Sequence, residues 1–310
     1  IAATPDDLTA NYWVCTLTMA NNLTGESDLA RAEKSGNMLA NVTKPAAVPD
    51  ASWPPIQKEM TSLGHKCIGV VALNRKDYPK AESEFEASLK IKSDDAQVNS
   101  FLGNVILAQK DPEKQADALF HYARAASYTG TGALPDAVRA QLDAFFVKAY
   151  NGYHGEDPQG MQELRNLAKN NALPPAGFKI LSSAEKDVAA DKKMQEEQPQ
   201  RFFWVRLKSA LTAPNGMEYF EGGMKDALVP TKEQPPLKGK VVSSTKKSFV
   251  LALSDDTTPE VTIVLGKPLK TELAPGTVVE FWAVPQKLTQ NPFMLEFLVD
   301  GPVAEYRIVP

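Results

Sequence analysis

The spacing of hydrophobic positions changes once along the chain, and this change divides the sequence into two parts. Over roughly the first 180 residues apolar side chains recur every three or four positions, as they do on one face of an amphipathic helix. From Leu237 onward the period becomes two, which is typical of half-buried strands. The pattern therefore predicts an α+β protein with two domains, in which a helical domain precedes a small antiparallel β domain.

Six segments in the second part alternate between apolar and polar residues and are separated by turn residues. They are 237–244, 247–254, 260–266, 277–285, 292–301 and 304–309. So many short strands within about 75 residues predict a small closed barrel. We expect an OB-like β-barrel, with an SH3-like barrel as the alternative topology.

The same alternation assigns the two faces of the predicted sheet. The face without charges should be the core, which places Trp282, Met294 and Leu298 on the outer face. An apolar patch of this kind should be covered. We expect the helical domain to cover it through the aromatic segment 201–207, and the predicted interdomain patch is therefore Trp204, Trp282, Met294 and Leu298.

Residues 181–236 separate the helical pattern from the strands. They begin with a polar, helix-prone stretch and end in a segment rich in Gly and Pro. This composition predicts a helical and irregular linker. The predicted domains are thus 1–180 and 237–310, joined by 181–236.

The clearest helical pattern covers residues 62–95, which predict two short helices joined by a tight turn. Gly69 lies in the first helix and Ala81 in the second, and the following segment repeats this pattern with Gly103 and Ala116. Small residues allow two helices to approach closely. A glycine inside a helix costs about 1 kcal/mol relative to alanine, so glycines at matching positions indicate a packing requirement.

This two-helix unit resembles the tetratricopeptide repeat (TPR), which has a period of about 34 residues. A weaker copy precedes it, and residues 44–55, which are rich in Pro, predict a loop inserted between the repeats. The helices that follow residue 133 are expected to cap the stack. The resemblance implies an αα superhelix of about three repeats over residues 1–180. The segment 153–178 is also similar to bacterial TPR proteins that carry a small β domain behind the repeats.

In TPR domains the first helices of the repeats line a concave groove that binds a partner protein or peptide. Aligning the glycines of the two repeats gives the predicted groove residues Lys66, Val70, Leu73, Ser100, Asn104 and Leu107. Some TPR domains hold a terminal carboxylate with Lys and Asn at fixed positions. Here Lys66 and Asn104 match, but Val70 and Phe101 replace the other polar residues. The incomplete clamp favours an extended or helical partner in a mixed polar and apolar groove.

The charge of the chain argues against general binding of nucleic acid. The net charge is −4, and residues 237–310 contain as many acidic as basic side chains. A protein that binds nucleic acid through its backbone needs a basic surface. An OB-like barrel nevertheless keeps one alternative function open, in which the barrel holds an oligosaccharide or a nucleic acid.

Enzyme chemistry has little support in the sequence. The histidines His65, His121 and His154 fall in separate predicted elements, and no phosphate loop, nucleophile motif or paired metal-ligand motif is present. We therefore predict a non-enzymatic scaffold or adaptor without catalytic residues, cofactor or metal.

Cys15 and Cys67 are the only cysteines, too few for a fold held together by disulfides. We expect two separately buried thiols, with a disulfide as the alternative if the chain is exported. The chain begins with Ile1 rather than Met, which predicts removal of an upstream segment. With the bacterial resemblance, this favours a periplasmic or secreted location, with the cytoplasm as the alternative. No apolar run reaches the roughly 20 residues that span a bilayer.

Overall fold

A computed structural model describes residues 7–309 and confirms the α+β class. Helices form the N-terminal part, and a seven-stranded mixed sheet forms the C-terminal part. The chain divides into two compact units between Ala184 and Glu185. Most of residues 181–236, which the sequence assigned to a linker, thus fall within the second unit.

The first unit consists of helices in which α1 to α7 each pack against the next, and α8 packs against α6. Their bounds are α1 Leu8–Ala20, α2 Glu26–Ala40, α3 Trp53–Asn74, α4 Tyr78–Ile91, α5 Ala96–Gln109, α6 Gln115–Ser127, α7 Asp136–His154 and α8 Pro158–Asn170. Four of these helices begin after an aspartate whose carboxylate accepts a backbone N–H of the first turn, namely Asp7, Asp77, Asp95 and Asp157.

The prediction of a loop over residues 44–55 is wrong at its C-terminal end. Helix α3 begins at Trp53, and Pro54 and Pro55 occupy its first turn. Proline is tolerated there because the first N–H groups of a helix have no intrahelical acceptor to lose. The prolines that suggested a break therefore mark the start of a helix.

Close approach of the helices at the predicted glycines is confirmed. A Cβ atom on Gly69 would lie 2.6 Å from the ring of Phe85, and one on Gly103 would lie 3.0 Å from the ring of Tyr122. Two helix backbones also approach closely at Gly64, where a Cβ atom would lie 2.3 Å from the backbone nitrogen of Ala40. At that point α2 and α3 pack backbone against backbone.

Two buried polar side chains of the helical unit, His121 and Arg124, form hydrogen bonds that connect α6 to other elements. His121 Nδ1 lies 2.9 Å from Asn99 Oδ1, which joins α6 to α5. Arg124 donates to the carbonyl oxygens of Ala168 and Ser93, each at 3.1 Å. These bonds satisfy groups that would otherwise destabilise the interior.

The buried imidazole of His121 predicts that the helical unit loses stability in acid. Burial lowers the pKa of His121 from 6.5 to about 3. The unfolded chain therefore binds a proton more readily, so this contribution is complete above pH 6.5 and is lost as the pH falls toward 3. We expect the protection factors of the α6 amides, which correct for the slower intrinsic exchange in acid, to fall over this range. His121→Gln removes the titrating group, and an unchanged pH dependence in that variant would contradict the assignment.

The second unit combines three helices with the sheet. The helices are α9 Ser183–Glu197, which crosses the boundary between the units, α10 Pro199–Thr212 and α11 Gly216–Tyr219. A π-helical turn, Phe220–Met224, follows α11. The strands are β1 Leu237–Ser244, β2 Ser248–Ala252, β3 Val261–Leu265, β4 Val278–Trp282, β5 Val284–Gln290, β6 Phe293–Val299 and β7 Glu305–Val309.

The sheet differs from the predicted antiparallel closed barrel. Its strand order is β5-β6-β3-β2-β1-β4-β7, and β3 and β6 are parallel while the other neighbours are antiparallel. The sheet is not closed, because β5 and β7 at its two edges do not pair within the described residues. Alternation along the chain locates strands but carries no information on which strands pair or in which direction.

The predicted strand 277–285 is two strands, β4 and β5, with Ala283 between them. β5 continues past Pro285, where the pairing register with β6 shifts. Proline is tolerated at this position because an edge strand does not need every N–H group, and an irregularity absorbs the missing bond.

The predicted inner face of the sheet is confirmed. Val279, Phe281, Leu295 and Phe297 are completely buried. The same core includes residues from the helices and the π-helical turn, namely Trp204, Leu207, Leu211, Phe220 and Met224. The helix α10 is therefore an integral part of the second unit.

Candidate functional site

The predicted groove residues lie on two helices. α3 carries Lys66, Val70 and Leu73, and α5 carries Ser100, Asn104 and Leu107. Val70 and Leu73 are half-buried and pack against the helical core. Ser100 is also half-buried, whereas Asn104 and Leu107 are exposed. The accessible part of the predicted groove is thus on α5.

Lys66 has a structural partner, which changes its predicted role. Its Nζ lies 2.7 Å from Asp95 Oδ2 and 2.9 Å from Gln97 Oε1, and its side chain is only 14% exposed. Asp95 also caps the start of α5. Lys66 therefore ties α3 to the beginning of α5 and does not serve as a carboxylate clamp in this conformation.

Asn104 is oriented by a buried tyrosine. The hydroxyl of Tyr122 on α6 donates to Asn104 Oδ1 at 2.7 Å. Burial raises the pKa of Tyr122 to about 12, so the phenol keeps its proton and acts as the donor. The amide nitrogen of Asn104 has no hydrogen-bond partner among residues 7–309. Its two N–H donors are therefore available on an exposed side chain.

A cleft of about 300 Å³ opens beside this pair, between α5 and α7 with α6 as its floor. This volume is at the lower end of the range of about 300–1,000 Å³ found for ligand pockets. Its lining residues are mostly apolar, namely Leu107, Gln115, Ala118, Leu119, Tyr122, Ala149, Gly152 and Tyr153. We refer to this cleft together with Asn104 and Phe145 as the α5–α7 site.

Gly152 holds the cleft open. A Cβ atom at this position would have no neighbour within 4 Å, so helix packing does not require a glycine here. A glycine in a helix is less stable than alanine by roughly 0.5–1 kcal/mol. Here that cost has no compensation in packing, unlike at Gly69 and Gly103. The absence of a side chain instead leaves space in the cleft.

An exposed apolar stripe on α7 leads to the cleft. Val138, Phe145 and Gly152 are spaced by seven residues and therefore lie on one face of the helix. Phe145 is 42% exposed, and its ring packs against that of Tyr122 at a centroid distance of 4.7 Å. Tyr122 belongs to the floor of the cleft and Phe145 to the helix that forms one wall, so this aromatic contact joins the floor to the wall.

A second apolar surface lies on α1, where Trp13, Leu17 and Leu23 are exposed along a cavity of about 460 Å³. The charged side chains on its lining include Asp28 and Arg31, which pair with each other. Specific ligand sites combine apolar surface with convergent polar groups that fix the orientation of the ligand. The α5–α7 site has such a group in Asn104, and it is therefore the better candidate.

The four residues of the predicted interdomain patch occupy two different environments in the second unit. Trp204 is 1% exposed inside the core, where its Nε1 donates to Glu260 Oε2 at 3.0 Å. Trp282 is half-buried, and its Nε1 donates to the carbonyl oxygen of Gln234 at 3.3 Å. Met294 and Leu298 are also half-buried. A contact of this patch with the helical domain stays a prediction.

The second unit contains a polar cleft of about 330 Å³ beside the start of α10, β1 and the end of β2. Its charged lining includes Arg201, Lys238 and Lys240 together with Asp255 and Asp256. Lys240 Nζ lies 2.6 Å from Asp256 Oδ2. The mixture of charges gives the cleft no basic character for binding phosphates.

The three histidines are in separate environments, as the sequence predicted. His65 Nδ1 contacts Glu84 at 2.7 Å, His121 contacts Asn99, and His154 Nδ1 lies 2.6 Å from the carbonyl oxygen of Leu181. Across residues 7–309, no group of three His, Cys, Asp or Glu side chains could hold a metal ion. None of the described helices is long and apolar enough to cross a membrane.

Comparisons with known proteins provide no assignment. No family model, no curated protein and no solved structure matches this chain. A functional assignment therefore depends on the geometry of the α5–α7 site.

Proposed function

We propose that this protein is a non-enzymatic scaffold whose helical unit is a TPR-like domain that binds a segment of a partner protein. One large apolar side chain of that segment occupies the cleft of the α5–α7 site. The observation that carries this proposal is the open cleft at Gly152, beside the oriented carboxamide of Asn104. The successive packing of helix pairs and the close approach at Gly69 and Gly103 support the TPR-like assignment.

The anchor of the bound segment is expected to be leucine, methionine or phenylalanine. Half of the lining residues of the cleft are leucine or alanine and two more are tyrosine, which favours an apolar group. Binding sites of this kind obtain most of their affinity from a few buried anchor side chains.

Asn104 orients the bound segment and contributes only a small part of the affinity. Because Tyr122 holds its oxygen, the amide nitrogen donates to a backbone carbonyl of the bound segment. This contact fixes the direction of an extended chain along α5 and compensates for the missing lysine clamp. Because Lys66 is already paired with Asp95, the site is suited to an internal segment of the partner protein and not to its terminal carboxylate.

For the second unit we propose an OB-like arrangement of the strands. The parallel pairing of β3 with β6 supports it. The continuity of β4 and β5 through Ala283 also supports it, because one bent strand then reaches towards both edges of the sheet. The resemblance of the sequence to bacterial proteins supports a periplasmic or secreted location.

The proposal predicts that filling the cleft abolishes most of the binding. A displayed library of short random peptides is selected on the full-length protein, and affinities of the selected peptides are then measured for variants. Gly152→Leu adds an apolar side chain to the lining of the cleft at a position where a Cβ atom meets no neighbour within 4 Å, and we expect affinity to fall about tenfold, or about 1.4 kcal/mol. Asn104→Ala removes one hydrogen bond and should weaken binding by about 0.5–1.5 kcal/mol.

The matched control is Gly223→Leu in the π-helical turn of the second unit, where a Cβ atom also has no neighbour within 4 Å. This variant is expected to bind like the wild type. Unchanged affinity in Gly152→Leu would contradict the proposal. Loss of affinity in Lys238→Ala, with none in Gly152→Leu, would instead favour a ligand held by the second unit.

A further inference from the structure

The two cysteines of the chain come together inside the helical unit. Cys15 on α1 and Cys67 on α3 are both completely buried. Their Sγ atoms lie 3.9 and 3.4 Å from the same acceptor, the carbonyl oxygen of Ala32 on α2. The expectation of two separately buried thiols is therefore wrong, because the packing of α1, α2 and α3 places both sulfurs against the same carbonyl oxygen.

The packed state keeps both thiols away from solvent and keeps the Cys15 thiol protonated. The hydrogen bond with Cys67, together with burial, raises the pKa of the Cys15 thiol far above its ordinary value. The thiolate is the reactive form of cysteine, so Cys15 does not react readily while the helices are closed, and an oxidant cannot reach either sulfur. Because both sulfurs are completely buried, reaction requires a local opening of α1, which packs against α2 and α3.

We propose that Cys15 and Cys67 form an intramolecular disulfide that ties α1 to α3 when the chain meets a small-molecule disulfide oxidant. In the opened state, the thiolate of one cysteine attacks the oxidant and releases one equivalent of small thiol. The second thiolate then attacks the mixed disulfide, forms the protein disulfide and releases the second equivalent. The two protein thiols are oxidised, and the oxidant is reduced to two thiols.

The bond would hold the first helical pair against α3. α3 also carries Val70 and Leu73, two residues of the predicted groove that pack against the helical core. A disulfide restricts the unfolded chain, and it stabilises more when the enclosed loop is long. In the oxidised protein α1 is held in place, whereas in the reduced protein it opens more easily.

The test uses the full-length protein incubated with oxidised glutathione and then unfolded in the presence of iodoacetamide. We expect the intact mass to fall by two hydrogens relative to the reduced protein, with no alkylation. A single cross-linked peptide should contain Cys15 and Cys67, and dithiothreitol should reverse the change. The oxidised protein should also unfold at a higher temperature than the reduced protein, and its α1 amides should exchange more slowly.

Cys15→Ala and Cys67→Ala are the matched controls, since each leaves one thiol that can form only a glutathione adduct or a bond between chains. Neither variant should show the rise in unfolding temperature. Full alkylation of both cysteines in wild type after exposure to the oxidant, under conditions in which α1 amides exchange, would overturn the proposal. A disulfide between two chains, or a lower unfolding temperature after oxidation, would also overturn it.

Discussion

Replacing Glu260 by leucine is expected to destabilise the second unit by about 3–5 kcal/mol, the cost of breaking a buried ion pair. The Glu260 carboxylate accepts Lys208 Nζ at 2.5 Å and Trp204 Nε1 at 3.0 Å, both from α10. It also accepts the backbone N–H groups of Leu253 at 2.9 Å and Ser254 at 2.6 Å. Its loss leaves the buried donors without an acceptor and removes the polar contacts between α10 and the sheet.

Denaturant unfolding at neutral pH measures this effect, and Glu272→Leu, at an exposed position in the same unit, is the control. The control is expected to change stability by no more than about 0.5 kcal/mol. Equal effects of the two substitutions would show that the Glu260 contacts do not hold α10 in place.

The same carboxylate gives the second unit an acid-sensitive contact. Burial raises the pKa of Glu260, but the hydrogen bonds from Lys208 and Ser254 outweigh it, and the pKa is lowered below 4.5. The folded state therefore binds the proton less readily than the unfolded chain. This contribution to stability is complete above pH 4.5 and is lost as the pH falls through the folded pKa. Glu260→Gln should show a weaker loss of stability in acid.

Gly64→Ala is expected to have the largest effect in the helical unit. The new Cβ atom would lie 2.3 Å from the backbone nitrogen of Ala40 and 2.7 Å from the carbonyl oxygen of Gly36. Because these neighbours are backbone atoms, no side-chain rotation relieves the contact, and α2 and α3 must separate. Overpacking of this kind costs about 1–3 kcal/mol or more.

Gly152→Ala is the matched control, since the same substitution there meets no atom within 4 Å. It is expected to stabilise α7 by up to about 1 kcal/mol, the difference between the helix propensities of glycine and alanine. Denaturant unfolding of both variants separates the two cases. A Gly64→Ala protein as stable as the wild type would mean that α2 and α3 are not in backbone contact.

Local sequence patterns predicted the positions of most elements, because helix and strand periodicity are local properties. The turn before α4 and the strand β1 fall where the pattern placed them. The start of α3 was missed because proline is common both in loops and in the first turn of a helix. Pro54 and Pro55 therefore did not distinguish the two. The pairing of β3 with β6 was missed because residues far apart in sequence determine it.

Only part of the candidate site was predictable, because aligning repeats compares local sequence and does not show contacts between side chains of different helices. Alignment of the repeats identified Asn104 and Leu107. It could not show that Lys66 is paired with Asp95 or that Tyr122 orients Asn104. Gly152 was missed because no repeat position corresponds to it. The only sign of its role is that it is a glycine inside a helix with no packing neighbour. This can be recognised only when the positions of the neighbouring helices are known.

Hydrogen exchange of the 310-residue protein, measured with and without a library-selected peptide, shows which elements bind the peptide. Bound peptide in the α5–α7 site is expected to slow exchange of amides in α5, α6 and α7, and Gly152→Leu should remove this protection at the same peptide concentration. Protection confined to β1, β2 and the start of α10, with none in α5, α6 or α7, would contradict the account.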